Sequence, residues 1–401
     1  THPNYVHITT DEDNKKQNMK LDILMEVYID IKMNIVENKE AINDFIDCVI
    51  EISDSVNSDN WNGEDVMGIF FNEFNRYKKK SESGQVFTPD HITSLMYKIL
   101  EVNANDKILD AACGSGAFLV KSMSNMIKEV GGINTKEAKK IKEHSLFGIE
   151  FDREIFALAC ANMMIHKDGK TNLEQLDSRD KEASEWIKSK GITKVLMNPP
   201  FERKYGCKKI VENVLNSVPS GIKCAFIMPE KKMEKDKMGK LLEKHHLEAI
   251  IKLPEKLFDA GVTTSIYVFE TGKKQVGEIY GCYIEDDGLE RVKNQGRQDI
   301  KDKWMELENY WVDSIRKRND TKYGTSQWID PKKFLSYQKP KAEFVLYEED
   351  FVKTMMNYLM FKNKIDVKEF SDKLINKTLY NSEILKEDNN IVIKIKDAED
   401  E

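Results

Sequence analysis

The run Asn198-Pro199-Pro200-Phe201 holds the residue types best suited to chemistry in this chain. It follows directly on the apolar stretch Lys194–Met197, which reads as a strand. Two consecutive prolines fix the backbone and remove two N–H donors. They leave carbonyl groups pointing in set directions. An asparagine side-chain oxygen and a rigid backbone carbonyl can together accept both hydrogens of one planar –NH2 group. That favours a pyramidal nitrogen and turns its lone pair toward an electrophile. Phe201 offers a face on which a base can stack. Such chemistry needs no metal, no nucleophilic side chain and no strong base. In isolation the same run would also suit a proline-rich turn after a strand. Its position downstream of a glycine-rich turn favours the chemical reading.

That turn is Asp110-Ala111-Ala112-Cys113-Gly114-Ser115-Gly116, between an apolar strand and a helix. Gly114 and Gly116 let the backbone turn tightly and approach a ligand without Cβ obstruction. Turns of this kind usually bind a nucleotide-like cofactor. The spacing is neither the dinucleotide GxGxxG nor a GK[ST] phosphate loop, which favours a ligand with a positive charge or an amino-acid portion. A tight strand–helix turn without a ligand is the plainer alternative. Glu150 ends the next apolar strand, where a carboxylate can accept both hydroxyls of a ribose. Phe151 beside it could pack on an adenine ring. Asp177 could accept from an adenine amine, or serve simply as a turn aspartate.

The elements that must position these residues alternate between strand and helix. The apolar runs are Lys107–Asp110, Leu146–Glu150, Lys194–Asn198, Ala225–Met228, Glu248–Leu253, Ser265–Phe269 and Glu278–Ile284. Helical stretches such as Ala117–Glu129 and Arg153–His166 separate the early ones. Alternation with continuously apolar strands means a mostly parallel sheet covered on both faces, an α/β fold. The later strands suit an antiparallel addition at the sheet edge. Ligands in such sheets sit at the carboxyl ends of the strands, just after Asp110, Glu150 and Asn198.

Residues 1–82 read as a helical amino-terminal domain, 83–310 as the catalytic α/β domain, and 311–401 as a partly helical extension. Lys78-Lys79-Lys80 begins a charged joint before Gly84. The stretch beyond about Glu308 reads as irregular until a helix over Glu348–Lys362.

Composition bounds the reading. The 401 residues allow two to four domains at roughly 100–200 residues each. Hydrophobic residues at 40% and charged residues at 33% exclude collagen-like and wholly disordered chains. No apolar stretch approaches the ~18–20 residues of a membrane span. The six cysteines form no CxxC pair, which fits a reducing cytosol. His245 and His246 are adjacent and read as a solvated helix end, not as a metal pair. The first residue is Thr1, and an excerpt of a longer chain is expected. A net charge of −7 speaks against gripping nucleic acid with the whole surface. Lys78–Lys80, Arg203-Lys204, Lys208-Lys209 and Lys231-Lys232 could form a local basic rim that holds phosphates, or simply a solvated surface.

The pair Asp110–Gly116 and Asn198–Phe201, in that order, resembles the signatures of S-adenosylmethionine-dependent DNA adenine-N6 methyltransferases of the gamma class. Gly84-Gln85-Val86-Phe87-Thr88-Pro89 is similar to the cofactor motif that precedes the fold in that class. The run from Val66 to Gly272 resembles the modification subunit of type I restriction–modification systems. Phe226-Ile227-Met228-Pro229-Glu230, Ile251-Lys252-Leu253-Pro254, Gly261–Val268 and Asn294-Gln295-Gly296-Arg297-Gln298-Asp299 support it. Asp110-Ala111-Ala112 stands where the family often has Asp-Pro-Ala, a mild change.

The resemblance implies a Rossmann-like methyltransferase fold behind a helical amino-terminal domain. It implies that Gln85, Phe87, Thr88 and Pro89 wrap the methionine end of S-adenosylmethionine. Cys113, Gly114, Ser115 and Gly116 would pass beneath the cofactor, and Asp110 would anchor its amino-acid portion. Glu150 would hold the ribose and Asp177 the adenine. Asn198, Pro199 and Pro200 would hold the target N6, with Phe201 stacked on the base. Double-stranded DNA is the expected substrate. A specificity subunit or fused recognition domain is the expected partner, with a restriction subunit as a further one, in a bacterial cytoplasm. Methylation of a protein glutamine amide, methylation of cytosine N4, and a non-catalytic scaffold are the rival readings.

Overall fold

In the computed structural model, the structure describes residues 39–69, 88–167, 172–201, 206–233, 235–255, 257–258, 262–292, 296–340, 347–380, 382–387 and 390–395. The chain divides into two compact units, Thr1–Gln338 and Lys339–Glu401.

Short, apolar strands build the first unit. In chain order they are β1 (Ile108–Asp110), β2 (Leu146–Glu150), β3 (Leu173–Gln175), β4 (Lys194–Met197), β5 (Lys223–Pro229), β6 (His246–Lys252), β7 (Thr264–Glu270), β8 (Ile279–Tyr283), β9 (Glu290–Val292), β10 (Gly296–Gln298) and β11 (Ser326–Ile329). All but β9 and β10 form one sheet in the order β11-β8-β6-β7-β5-β4-β1-β2-β3. Successive side chains point to opposite faces of a strand, so each buried strand feeds two cores. Ile108, Leu196, Ile227 and Ile266 enter one apolar cluster. Their neighbours Leu109, Val195, Phe226 and Tyr267 enter the other.

The helices of this unit are α1 (Lys39–Val56), α2 (Asp90–Ile99), α3 (Ala117–Glu129), α4 (Lys136–His144), α5 (Arg153–Ile165), α6 (Lys181–Lys190), α7 (Cys207–Ser217), α8 (Lys235–Leu242) and α9 (Trp304–Lys317). Local chemistry sets their starts. Thr135 caps α4 by accepting from the Ala138 N–H at 3.0 Å. Asp152 caps α5 by accepting from Glu154 and Ile155, which satisfies donors that an α-helix leaves open. The carboxyl end of α1 docks on α5 through Ser53 Oγ, which donates to the Ile165 carbonyl at 3.0 Å.

The antiparallel addition expected at the sheet edge is present as β11, and a further antiparallel strand lies inside the sheet. β7 runs antiparallel between β5 and β6, and β8 continues the sheet parallel to β6. Thr264–Phe269 is buried throughout, and a strand apolar on both faces cannot sit at a solvated edge. The edges are β3 and β11; β11 is antiparallel to β8, with Trp328 about half exposed. The stretch beyond Glu308 is also more regular than its composition suggested, because α9 buries Trp311, Val312 and Ile315. His245 and His246 are buried, not solvated. His245 Nδ1 accepts from the Gly272 N–H at 3.3 Å, and burial lowers both imidazole pKa values.

The second unit contains α10 (Glu348–Lys362), α11 (Val367–Tyr380) and the antiparallel pair β12 (Ser382–Glu387) and β13 (Asn390–Ile395). Among the described helices none is long and apolar enough to cross a membrane.

Candidate active site

The order of the sheet brings the two sequence motifs together. The chain runs outward from β1 to β2 and β3, then returns to β4 on the other side of β1. β1 and β4 are parallel neighbours, with Leu109 opposite Val195. This is the switch point of a doubly wound sheet, where a crevice opens at the carboxyl ends of the strands. The glycine-rich turn leaves β1 there, and Asn198 leaves β4.

The turn is fastened from several sides. Gly114 and Gly116 have φ of 56° and 95°, a region costly for residues with a Cβ. Gly114 N donates to Glu150 Oε2 at 3.0 Å, so the carboxylate ending β2 braces the loop after β1. Glu150 Oε1 accepts from Asp152 N at 3.0 Å. Burial raises the Glu150 pKa, and its backbone hydrogen bonds oppose that. Cys113 packs in the core, and burial drives its thiol pKa upward. Ser115 is turned away from the crevice. Its hydroxyl donates to Asp65, which also accepts from Asn162 Nδ2 at 2.8 Å and Gly68 N at 2.9 Å. Cys113 and Ser115 therefore have backbone, not side chains, to offer a ligand.

Asp110 is almost wholly buried at the end of β1. Its Oδ1 accepts from Ala112 N at 3.1 Å. Burial pushes its pKa up to about 8; the Ala112 bond opposes the rise and the charge of Glu150 adds to it. Such a carboxyl ionises readily only when a cation arrives.

Asp177 lies past β3 and is held by Arg179, whose Nε donates to Oδ1 at 2.7 Å and to Oδ2 at 3.0 Å. That hydrogen bond keeps the Asp177 carboxyl below its usual pKa. The Arg179 guanidinium also sits 5.8 Å from the centre of the exposed Phe151 ring. Asp177 thus enters as half of an ion pair beside an aromatic surface.

Asn198 is fixed through its amide nitrogen, which donates to Thr88 Oγ1 at 2.9 Å. Thr88 and Pro89 immediately precede α2. Gln85 and Phe87 lie outside the described residues, as do Lys78–Lys80 and Arg203-Lys204. Pro199 is buried and Pro200 partly exposed. Phe201 is 9% exposed and meets Phe258 edge to face at 5.5 Å. Phe258 was not singled out in the sequence. Its signal was an apolar pair, Leu257-Phe258, just past the Leu253-Pro254 that ends β6.

A doubly wound sheet with a glycine turn after β1 and Asn-Pro-Pro-Phe after β4 has the S-adenosylmethionine-dependent methyltransferase fold. Residues 62–226 match the N-6 DNA Methylase family, and the chain resembles the modification subunit of type I restriction–modification systems. It is 30% identical over 340 residues to the type II restriction enzyme and methyltransferase RM.BcgI of Heyndrickxia coagulans, covering 78% of this chain and 51% of that one. It is 22% identical over 215 residues to the type I restriction enzyme EcoEI methylase subunit of Escherichia coli, covering 48% and 43%. The chain spans about half the length of these curated relatives. In structure it is similar to a modification subunit of a putative type I restriction enzyme from Vibrio vulnificus, with a TM-score of 0.51, 18% identity, and 66% and 62% of the chains covered. The type I restriction enzyme EcoKI M protein gives 0.50 at 13% identity over 92% and 95%.

S-adenosylmethionine follows from the family match as the cofactor, and the residues here fit it. A Cβ built on Gly114 would meet no atom within 4 Å, so space opens directly over the turn. The carboxyls that border this part of the fold, Asp110 and Glu150, suit a cationic amino acid and a ribose diol.

Proposed function

We propose that this chain transfers a methyl group from S-adenosylmethionine to N6 of an adenine flipped out of double-stranded DNA, as the modification component of a restriction–modification system. The observation that carries this reading is the Asn198 amide, tethered to Thr88 at the end of a strand adjacent to the glycine-rich turn. S-adenosylmethionine supplies an electrophilic methyl group on a sulfonium sulfur. Asp110 would anchor the cofactor's amino-acid portion, and Glu150 its ribose. Gln85, Phe87, Thr88 and Pro89 would enclose its methionine end, and Gly114 and Gly116 would pass beneath. Phe151 and the Arg179–Asp177 pair would border the adenine.

Asn198 Oδ1 and the Pro199 carbonyl would accept the two hydrogens of the target amine. With the amide nitrogen committed to Thr88, the oxygen is the end of Asn198 that faces a donor. The adenine must leave the duplex for this to happen, at a few kcal/mol. Stacking on Phe201, with Phe258 behind it, would offset part of that cost. Catalysis is then mostly orientation of amine and methyl carbon.

Sequence choice would come from a specificity subunit or a fused recognition domain, with a restriction subunit as a further partner, in the cytoplasm. The net charge of −7 supports such sharing of the DNA contact.

The test is incubation of the chain, together with the specificity partner that copurifies with it from its host, with S-adenosylmethionine and unmethylated DNA, followed by digestion to nucleosides and mass spectrometry. N6-methyl-2′-deoxyadenosine is expected. Methylcytosine alone, or methylation of a release factor in place of DNA, would overturn the reading.

A further inference from the structure

The motif Gly296-Arg297-Gln298-Asp299 lies outside the large sheet, on the separate β9–β10 pair. Its side chains nevertheless reach back toward α2. Arg297 Nε donates to Asp287 Oδ2 at 3.1 Å, and its Nη2 donates to Asp287 Oδ1 and to the Leu289 carbonyl. Asp287 has no exposed surface. His91 Nε2 lies 3.2 Å from Asp287 Oδ2. The His91 ring meets Trp304 edge to face at 4.9 Å. Asp299 holds Trp304 in turn, accepting from the backbone N–H groups of Lys303 and Trp304 at 2.9 and 2.8 Å.

His91 is in the first turn of α2, three residues after Thr88. Further contacts hold the same helix, among them the ion pair of Lys98 with Glu308. Lys121 Nζ donates to Asp90 Oδ2 at 2.8 Å, and Arg316 Nε donates to the Lys98 carbonyl at 3.0 Å. Packing alone tolerates small rotations of an apolar helix. A shift of one residue turns a helix by about 100° and moves it about 1.5 Å, enough to carry Thr88 away from Asn198. A buried ionic group is weak evidence for stability, and its best-attested use is to specify register.

We infer that the Asp287–Arg297–His91 cluster, built around the buried Asp287 and His91, is a positioning device for methyl transfer, fixing the register of α2 so that Thr88 holds the Asn198 amide. None of the three residues needs to touch substrate. The cluster acts through Thr88 and couples the β9–β10 hairpin to the catalytic amide. This rests on the methyltransferase reading of the same site.

The test uses the full chain, tritiated S-adenosylmethionine and unmethylated DNA. His91→Phe keeps the ring on Trp304 and removes the contact with Asp287. It is expected to lower the single-turnover methylation rate at least tenfold, with KM for DNA and thermal midpoint nearly unchanged. His91→Gln, whose amide nitrogen can reach Asp287, is expected to restore most of the rate. The double variant with Thr88→Val should be no slower than Thr88→Val alone, because residues acting through one contact are not additive. A His91→Phe enzyme at the wild-type rate, or multiplied losses in the double variant, would overturn the inference. A wild-type chain that methylates nothing would count against the methyltransferase reading instead. Hydrogen exchange then decides the coupling: His91→Phe should accelerate exchange both in α2 and at residues 195–198, and acceleration confined to α2 would overturn it.

Discussion

Asn198 Nδ2 donates to Thr88 Oγ1 at 2.9 Å across 110 residues of sequence. The bond joins a motif before the sheet to one at the end of β4 and sets the orientation of the amide. It also gives Thr88 a role beyond lining a cofactor pocket. Replacing Thr88 by valine keeps the shape and removes the acceptor. Losing a buried hydrogen-bond partner costs about 1–3 kcal/mol, so kcat should fall about five- to 150-fold. Equilibrium dialysis should find cofactor affinity within about twofold of wild type. An equal loss of affinity would make Thr88 a cofactor contact and nothing more.

Asn198→Ala removes the proposed acceptor for the target amine without touching the glycine-rich turn. Methylation should fall by at least about 10²–10³-fold, the scale seen when one preorganised polar group is removed from an active site. Cofactor titration followed by intrinsic fluorescence should remain near wild type. Loss of both together would indicate that Asn198 supports the cofactor or the fold.

Asp110 gives a pH signature. Burial raises its pKa to about 8, well above the ordinary carboxylate range. The folded chain therefore keeps a proton that the unfolded chain loses, and stability from this group declines as pH rises from about 4 to about 8. A cationic ligand favours the ionised carboxylate, so binding should release a proton near neutral pH and tighten as pH rises toward 8. Calorimetry in buffers of different ionisation enthalpy measures that proton directly. Asp110→Asn should abolish its release, and proton uptake on binding would contradict the assigned role.

The chemistry was legible in the sequence because it rests on local backbone. Asp110–Gly116 and Asn198–Phe201 each lie at the end of an apolar strand, and local pattern located both. The helix Ala117–Glu129 and the strand Leu146–Glu150 appear with the expected bounds. Properties set by distant partners were not legible. The turn of Ser115 toward Asp65, the Thr88–Asn198 bond and the burial of β7 between β5 and β6 depend on residues far apart in sequence. β3 is absent from the apolar runs of the sequence because Leu173–Gln175 is a short strand with one fully buried side chain. The helix Trp304–Lys317 is hidden by charge, since the face that buries Trp304, Trp311, Val312 and Ile315 also carries Glu308.

Two glycines should respond in opposite ways to alanine, and the contrast tests where the cofactor lies. Gly114 has a φ of +56° and open space where a Cβ would project. Gly114→Ala should cost about 1 kcal/mol of stability for the left-handed backbone, with no clash. The new methyl would occupy the space over the turn, so cofactor affinity should fall more than the stability loss accounts for. Gly148, in the middle of β2, has the reverse character. A Cβ there would lie 2.4 Å from Leu173 Cδ2, 3.0 Å from Leu119 Cδ1 and 3.1 Å from Cys113 Sγ. Overpacking of that kind costs about 1–3 kcal/mol, spent in the core beneath the turn. Thermal unfolding of Gly148→Ala should show the larger stability loss, while isothermal titration should show the larger affinity loss for Gly114→Ala. Equal affinity losses would move the cofactor away from the space above Gly114.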